Sequence, residues 1–380
     1  MVEGRSRVDF YRTLRAGGFD RISLRLASPR PEMTPAARCQ SRECRTRKCQ
    51  MITRRTFSVG VGAGWLSTVI PAFAEQGPKK PRIGVLWHAG SAEEERIPLG
   101  GLLEGFKKFG YVDGENIILD HRFPNEERER FFTLAAELVQ SNVDVLIAVT
   151  TQAAIAAQRA TTTIPTVFIA VPDPAGNKLV HNLARPSGNI TGLTNMAVEL
   201  VPKRMEMLKE AIPNLSRMAL LVNAGAPEIA RRYVQIAESA AGSLGITVQP
   251  VEIRTPADIE PAFSTAIENR LQGMCLTSDG LIYVEQQRLV QLAQQRSLPL
   301  IGYTREMAQV GMLMVYGASN VALFERAAYY VDRILKGSKP AELPVEQPTV
   351  IELVINLRTA KRLGTQLPMA LLAKANEVIE

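Results

Sequence analysis

From about residue 81 onward, short apolar runs alternate with longer segments in which apolar residues recur every three or four positions. The runs RIGVLW, NIILDHRF, VDVLIAVT and IPTVFIAV predict four strands. Between the first two, Leu99, Leu102 and Phe106 share one helical face, and Gly110 suits the end of that helix. Strands that alternate with helices favour a parallel sheet with helices on both faces.

The same pattern repeats in the second half of the chain. The runs RMALLVN, ITVQPVEI, LQGMCLTSD and LPLIGYT predict four more strands, and helices are expected at about 227–243, 256–269 and 284–296. A further strand, GMLMVYG, a helix, NVALFERAAYYVDRILKG, and a tail follow. The sequence therefore predicts an α/β protein of two doubly wound parallel-sheet lobes.

The elements left over at the end predict that the chain crosses between the lobes more than once. The candidate crossings are 192–195 and 311–316. The expected boundaries are 81–193 plus about 316–345 for the first lobe, and 194–315 plus about 346–380 for the second. Several extended crossings form a multi-strand hinge, which permits closure of the lobes around a ligand.

A different pattern precedes this region. The segment TRRTF, with Arg54 and Arg55, is followed by an uncharged run from Thr56 to Ala74. Basic residues, an apolar middle and small residues before position 75 are typical of an export signal. We expect residues 51–74 to be a signal peptide, exported by the Tat or Sec route and cleaved after Ala74; an uncleaved membrane anchor is the alternative.

The signal lies behind fifty residues, which we interpret as a start-site artefact with translation beginning at Met51; a disordered basic arm is the alternative. Composition supports the division. The chain carries a formal charge of +7, but residues 1–74 hold 14 Lys and Arg against 5 Asp and Glu, so the remainder is nearly neutral. A nucleic-acid partner is therefore not expected.

Catalytic and metal-binding patterns are not evident in the sequence. Cys39, Cys44 and Cys49 have a spacing that fits no paired zinc ligands, and Cys275 lies in an apolar strand without a nearby histidine. No nucleophile elbow, phosphate-binding glycine loop or HExxH motif is found. We predict no enzyme activity, no cofactor and no metal, with a Rossmann-type enzyme as the least favoured alternative.

Several segments in order carry a resemblance to a known family. PRIGVLWHAG, GYVDGENIILDHRF, NLARPSGNITGLT, PKRMEMLKEAIPNLSRMALLVN and the ending ANEVIE resemble the ABC-transporter substrate-binding proteins of the tryptophan/tyrosine-transport type. The resemblance covers about residues 81–380 and departs from the usual pattern at VNAGAP. It implies a type I periplasmic binding-protein fold.

Ligands of open parallel sheets sit beyond the carboxyl ends of the strands, so the strand-end loops contain the candidate binding residues. In the first lobe these are Trp87, His88, Ser91, Thr150, Thr151, Gln152 and Asp173. The two threonines begin a helix whose free N–H groups suit a carboxylate, and they equally suit N-capping. Trp87 stacks on a flat ligand or completes the strand core.

In the second lobe the candidates are Asn223, Asp279, Tyr303 and Tyr316. Asp279, together with Asp173 of the first lobe, is placed to meet a ligand ammonium, although either carboxylate could instead cap a turn. The two tyrosines offer an aromatic face and a hydroxyl, as an amino-acid site requires.

The leading hypothesis is a periplasmic binding protein, expected to act as a monomer, that closes on a small organic solute and passes it to an ABC permease. A ligand sensor of the same fold that feeds a membrane receptor is the alternative. It differs only in its partner.

Overall fold

A computed structural model describes residues 79–380, which lie in one compact unit. The predicted export signal and the residues before it lie outside the described residues. The first of two sheets has five parallel strands in the order β2-β1-β3-β4-β5. Its strands are β1 (Arg82–Leu86), β2 (Ile118–Arg122), β3 (Val145–Val149), β4 (Thr166–Val171) and β5 (Ile190–Thr194), and its helices are α1 (Arg96–Lys108), α2 (Arg128–Gln140) and α3 (Thr150–Ala160).

Strand β5 occupies a segment that the sequence pattern identified only as a crossing. It is fully buried, and Gly192 lies against the backbone of β4 with a φ of 154°. A Cβ atom at this position would lie 2.0 Å from the carbonyl oxygen of Phe168, so only glycine fits. Because the strand is short and interrupted by glycine, its apolar pattern was too weak to predict a strand.

The second sheet has seven strands in the order β12-β11-β10-β9-β8-β6-β7. These are β6 (Arg217–Asn223), β7 (Thr247–Ile253), β8 (Met274–Leu276), β9 (Leu300–Gly302), β10 (Met314–Ala318), β11 (Ile351–Asn356) and β12 (Glu377–Ile379). β10 and β11 pair antiparallel, so β11 and β12 run against the other five strands. The sheet is therefore mixed and not wholly parallel.

The remaining helices cover the second sheet or return to the first. They are α4 (Val201–Ala211), α5 (Pro227–Leu244), α6 (Ile259–Glu268), α7 (Gly280–Val284), α8 (Gln286–Gln295), α9 (Arg305–Gln309), α10 (Asn320–Leu335), α11 (Leu357–Arg362) and α12 (Met369–Leu372), with short 3-10 turns at Pro256–Asp258 and Pro340–Glu342. Buried apolar clusters lie on both faces of each sheet. We refer to the part built on the five-stranded sheet as lobe 1 and the part built on the seven-stranded sheet as lobe 2.

Helix α10 belongs to lobe 1 although strand β10 before it belongs to lobe 2. Leu323 and Phe324 of α10 pack into the core of the five-stranded sheet. Strand β10 pairs with β9 at Met314 and Val315 and with β11 as far as Ala318, so its backbone belongs to the sheet of lobe 2 up to this residue. The chain returns to lobe 2 at β11 after Glu346 pairs beside Leu193.

Within residues 79–380, no helix combines the length and the apolar character needed to cross a membrane.

Candidate functional site

The carboxyl ends of strands from both sheets surround a cavity of about 270 Å³. This places the cavity between the lobes, where open parallel sheets bind their ligands. Seven of the residues predicted from the sequence line it: His88, Thr150, Thr151, Gln152, Asn223, Asp279 and Tyr303. The volume is near the lower end of the range for small-molecule sites, which suits a compact ligand such as an amino acid.

His88, at the end of β1, lies between two carboxylates of lobe 1. Its Nδ1 atom is 2.8 Å from Oε1 of Glu126, and its Nε2 atom is 3.3 Å from Oε1 of Glu95. Burial by itself lowers the pKa of His88, but the charges of Glu95 and Glu126 outweigh burial and raise this pKa to about 9. The histidine is therefore a cation at neutral pH, hydrogen-bonded to Glu126.

Glu95 is fully buried and lines the same cavity. One carboxylate oxygen, Oε1, accepts the backbone N–H of Ala89 at 3.2 Å, whereas Oε2 has no hydrogen-bond partner among the described residues. Burial raises the pKa of this carboxyl group, against the opposing charge of His88. An unpartnered buried acceptor at a cavity wall costs free energy unless a donor meets it there.

On the lobe 2 wall, Asp279 follows β8 and is held by a polar network. Its Oδ1 atom accepts the backbone N–H of Leu281 and the side-chain amide of Asn223, both at 3.0 Å. The Tyr303 hydroxyl donates to the backbone carbonyl of Asp279 at 2.8 Å. Burial, together with the charge of Glu126, raises the pKa of Asp279 to about 6. The carboxylate is therefore ionised at neutral pH, at a cost that a ligand cation would offset.

A second layer of hydrogen bonds fixes Ser278, the residue before Asp279. Asn195 donates from its side-chain amide to the hydroxyl of Ser278 at 3.0 Å, and the Tyr233 hydroxyl donates to its carbonyl at 3.2 Å. Tyr233 is buried. The lobe 2 wall is therefore set before any ligand arrives.

The start of α3 contributes backbone donors to the cavity. Thr150 begins this helix with a φ of 74°, which is strained for a β-branched residue. No side chain caps the helix, so its first N–H groups are free to bind an anion. Ala170, Asn125 and Glu126 also have positive φ at or beside the cavity, so strained backbone is concentrated at this wall.

Aromatic side chains form much of the remaining lining. Tyr283 and Tyr303 contribute from lobe 2, and Phe131 and Phe324 contribute from lobe 1. The rings of Tyr283 and His88 meet edge to face across the lobes, with centroids 5.6 Å apart. The cavity thus combines charged groups with aromatic surface.

Four of the predicted residues do not line this cavity. Trp87 is fully buried between Phe123 and Phe324, and its indole N–H donates to Nδ1 of His121 at 2.9 Å. Of the two roles considered for Trp87, the structure supports the one in the strand core. Its side chain packs in the core of lobe 1 with those of Ile83 and Val85 from β1.

Ser91, Asp173 and Tyr316 are the other three. The hydroxyl of Ser91 accepts the backbone N–H of Glu94 at 3.4 Å within the loop that leads to α1. Tyr316 lies within β10 and packs against the core of lobe 2. Neither side chain reaches the cavity because local structure fixes its direction.

Asp173 closes a turn instead of meeting the cavity. Its Oδ1 atom accepts the backbone N–H of Gly176 at 2.9 Å, and its Oδ2 atom lies 2.9 Å from Nε of Arg232 in lobe 2. The turn chemistry of the sequence PDP therefore decides its position.

The sequence reasoning missed several cavity residues, notably Glu95, Glu126, Asn195 and Tyr283. Glu126 lies in a loop whose path depends on positive φ at two consecutive residues, which no periodicity indicates. Tyr283 follows Asp279 by one helical turn. Including the first turn of the helix after each strand-end loop among the candidate positions would have identified it.

Among residues 79–380, no group of three or more His, Cys, Asp and Glu side chains is arranged to hold a metal ion.

Comparisons with known proteins agree with this architecture. A sequence model described as ABC transporter substrate binding protein matches residues 91–379. The chain belongs to the ABC transporter substrate-binding protein family. This family consists of substrate-binding proteins and not of enzymes, so the Rossmann-type enzyme alternative is rejected.

Individual proteins are similar to this chain as well. A "Tyrosine-binding protein" of Clostridioides difficile (strain R20291) is 24% identical over 266 residues, which are 70% of this chain and 76% of that protein. A structure of a conserved domain protein from Vibrio cholerae is 29% identical, with a TM-score of 0.74 over 79% of this chain and 100% of its own.

A third similar protein was solved with a ligand. The structure described as the ABC domain in complex with L-Trp, from Streptococcus pneumoniae, is 25% identical, with a TM-score of 0.71 over 79% of this chain and all of its own. These structures confirm the two-lobed α/β architecture of the type I periplasmic binding-protein fold predicted from the sequence.

Proposed function

We propose that this protein binds an aromatic amino acid, such as tyrosine or tryptophan, between its lobes and delivers it to an ABC permease. The observation that carries the proposal is one cavity that holds carboxylates, a free helix N-terminus and aromatic walls. The relatives described as a tyrosine-binding protein and as a complex with L-Trp support the same ligand class.

The ammonium group of the ligand binds at the carboxylates of the cavity. Asp279 of lobe 2 and Glu126 of lobe 1 act on each other's charge, so two carboxylates from opposite lobes share one site. Two like charges at close range repel, whereas a cation between them binds both. The His88 cation already attracts both carboxylates, and a ligand ammonium between them adds a second attraction that joins the lobes.

The ligand carboxylate binds at the other end of the cavity, at the first N–H groups of α3 beside Thr150 and Thr151. A helix N-terminus binds anions through its free donors and its dipole. The ring of the ligand lies between these ends and stacks against aromatic side chains such as Tyr283.

Binding requires the lobes to close, which we infer from contacts across the cleft. A Cβ atom at Gly280 of lobe 2 would lie 2.0 Å from Oε1 of Glu126 in lobe 1, and the three nearest atoms to such a Cβ all belong to Glu126. Gly280 does not have a positive φ, so a side chain there would meet the Glu126 side chain of the opposite lobe and would not be strained by its own backbone.

The site of action is the periplasm, where the permease receives the closed, loaded form. The segment TRRTF and the apolar run after it support export. Membership of the ABC transporter family supports the permease as partner.

A thermal-shift screen of the full chain tests the ligand class. L-Tyrosine or L-tryptophan at 100 times its Kd should add about 2.7 kcal/mol to the free energy of unfolding. Sugars and nucleobases, which lack the paired ammonium and carboxylate, are the negative controls. No stabilisation by any amino acid would refute the proposal.

Gly280→Ala tests the contact between Gly280 and Glu126 across the cleft. The added methyl group should act as a wedge against Glu126 and weaken amino-acid binding by about tenfold, which corresponds to about 1.4 kcal/mol. Gly242→Ala is the matched control, because Gly242 lies within α5 and a Cβ there has no neighbour within 4 Å. Equal affinities for the two variants would contradict closure through this contact.

A further inference from the structure

Three consecutive residues of α5, Arg231, Arg232 and Tyr233, contact three different parts of the protein. Arg231 pairs with Glu228 of its own helix, Nη1 to Oε2, at 2.9 Å. Arg232 extends to Asp173 of lobe 1, and Tyr233 donates to the carbonyl of Ser278 inside lobe 2. Successive helical residues turn by about 100°, so one helix can contact solvent, the opposite lobe and its own core. Of these three residues of α5, only Arg232 contacts the other lobe.

The lobe 1 side of this ion pair is held rigidly. The Asp173 carboxylate accepts the N–H of Gly176 through Oδ1, which leaves Oδ2 for Arg232. The Asp173 side chain is 11% exposed, whereas that of Arg232 is 55% exposed. A fixed, partly desolvated carboxylate loses little conformational entropy on pairing, so this contact costs less entropy to form than an ion pair between two mobile surface side chains.

The lobe 2 side provides Arg232 with a second acidic neighbour. Burial raises the pKa of Glu199, and the charges of both Asp173 and Arg232 act on the same carboxyl group. Separation of the lobes would therefore not leave Arg232 without an opposite charge nearby.

The position of the pair relative to the cavity also matters. The contacts from His88 and Glu126 to lobe 2 follow β1 and β2, at one edge of the five-stranded sheet. Asp173 follows β4, toward the other edge. Contacts between the lobes therefore lie on two sides of the cavity. The Asp173–Arg232 pair lies on the side opposite to the contacts of His88 and Glu126.

We propose that Asp173 and Arg232 are positioning residues that hold the two lobes closed through a cross-cleft ion pair, without touching the ligand. The inference rests on the proposed function in one respect: a closed form favours ligand binding only if the ligand binds between the lobes. It concerns the closed form itself, so the population of that form can be measured whether or not the ligand has been identified.

The test measures the distance between the lobes in the full chain. Nitroxide labels are attached at Glu129→Cys in lobe 1 and Glu260→Cys in lobe 2, both exposed. The background carries Cys39→Ser, Cys44→Ser and Cys49→Ser, and Cys275 is buried. Pulsed dipolar spectroscopy then gives the ratio of short to long distances in ligand-free protein.

Arg232→Gln should lower the closed-to-open ratio about fivefold, as expected for an ion pair of about 1 kcal/mol. Asp173→Asn should do the same, because asparagine keeps the acceptor for Gly176 and loses only the charge. The double variant should be no worse than either single variant, since both remove one interaction. Arg231→Gln, the neighbouring pair within α5, is the matched control and should leave the ratio unchanged.

An unchanged ratio in Arg232→Gln, or an equal change in Arg231→Gln, would overturn the proposal. A wild-type chain that shows no short distance without ligand would overturn it as well, because the pair would then not hold the lobes. Failure of tyrosine and tryptophan to bind the wild-type chain would refute the proposed ligand and leave the distance measurement valid.

Discussion

The two walls of the cavity differ in how far they are organised before a ligand binds. On lobe 2, Asp279 and Ser278 are fixed by hydrogen bonds from Asn223, Asn195 and neighbouring backbone. On lobe 1, Thr150 has strained backbone and begins an uncapped helix. The lobe 2 wall is thus organised before binding, whereas the lobe 1 wall keeps donors and strain that a ligand can satisfy.

This difference indicates how the affinity is divided. A preorganised wall loses little free energy on binding and supplies the strong charged contact. An unsatisfied wall gains hydrogen bonds only when the ligand and the opposite lobe arrive together. Changes to the lobe 2 network should therefore weaken ligand binding most, and changes to the lobe 1 backbone should act mainly on stability.

The largest effect is expected from Asp279→Asn. Asparagine can still accept the N–H of Leu281, but it removes the charge that meets the ligand ammonium. Loss of a charge-assisted hydrogen bond should weaken binding of L-tyrosine about 100-fold, measured by titration calorimetry. Glu260→Gln, an exposed carboxylate of α6, is the control and should bind normally. A loss below threefold would exclude Asp279 as the ammonium partner.

The pH dependence tests the same carboxylate without mutation. Because the pKa of Asp279 is about 6, affinity for an ammonium ligand should fall by up to tenfold per unit below pH 6. The raised pKa has the opposite effect on the ligand-free protein. Protonated Asp279 stabilises the folded, ligand-free protein at low pH, and this contribution to the free energy of unfolding is lost as the pH rises from about 4 to about 6.

Calorimetric titrations between pH 5 and pH 8, paired with denaturant unfolding of the ligand-free chain, measure both trends. Affinity that is flat across this range would contradict the assignment. Asp279→Asn should remove the part of the pH dependence that titration of Asp279 causes.

A smaller effect is expected from Tyr303→Phe. The hydroxyl donates to the carbonyl of Asp279, so its removal loosens the loop without changing charge. A lost neutral hydrogen bond of about 1 kcal/mol should weaken binding about fivefold. If the faster dissociation rate expected in stopped-flow fluorescence is not seen, the hydroxyl does not contribute to the lobe 2 wall.

The smallest effect is expected from Thr150→Gly, and in the opposite direction. Glycine adopts a φ of 74° without strain, so the free energy of unfolding should rise by about 1 kcal/mol. Thr151→Gly, one residue later in the helix and without positive φ, should lower stability instead. Urea unfolding of the two variants distinguishes strain at position 150 from a general effect of glycine.

The fold could be predicted from the sequence because its signal is periodic and repeated. Buried parallel strands such as RIGVLW stand out as apolar runs, and the helices between them carry one apolar face. Strand β5 escaped prediction because Gly192 and threonines interrupt the apolar run. The antiparallel β11 also escaped, since strand direction depends on a crossover that no local pattern encodes.

The candidate site was predictable only where strand-end geometry decides it. His88 and Asp279 follow strands directly, so the rule for parallel sheets locates them. Glu126 reaches the cavity through two residues of positive φ in a loop, and Asp173 is turned away by its own turn. Contacts of these kinds depend on how two distant segments pack, and a single sequence does not contain that information.

The most direct test of the central claim is a calorimetric comparison of three ligands on the full chain. L-Tyrosine carries both charges, tyramine lacks the carboxylate, and 3-(4-hydroxyphenyl)propionate lacks the ammonium. We predict that L-tyrosine binds at least 100-fold more tightly than either analogue, because each end of the cavity binds one charge. Equal binding of the three compounds would contradict a cleft that recognises an amino acid through both lobes.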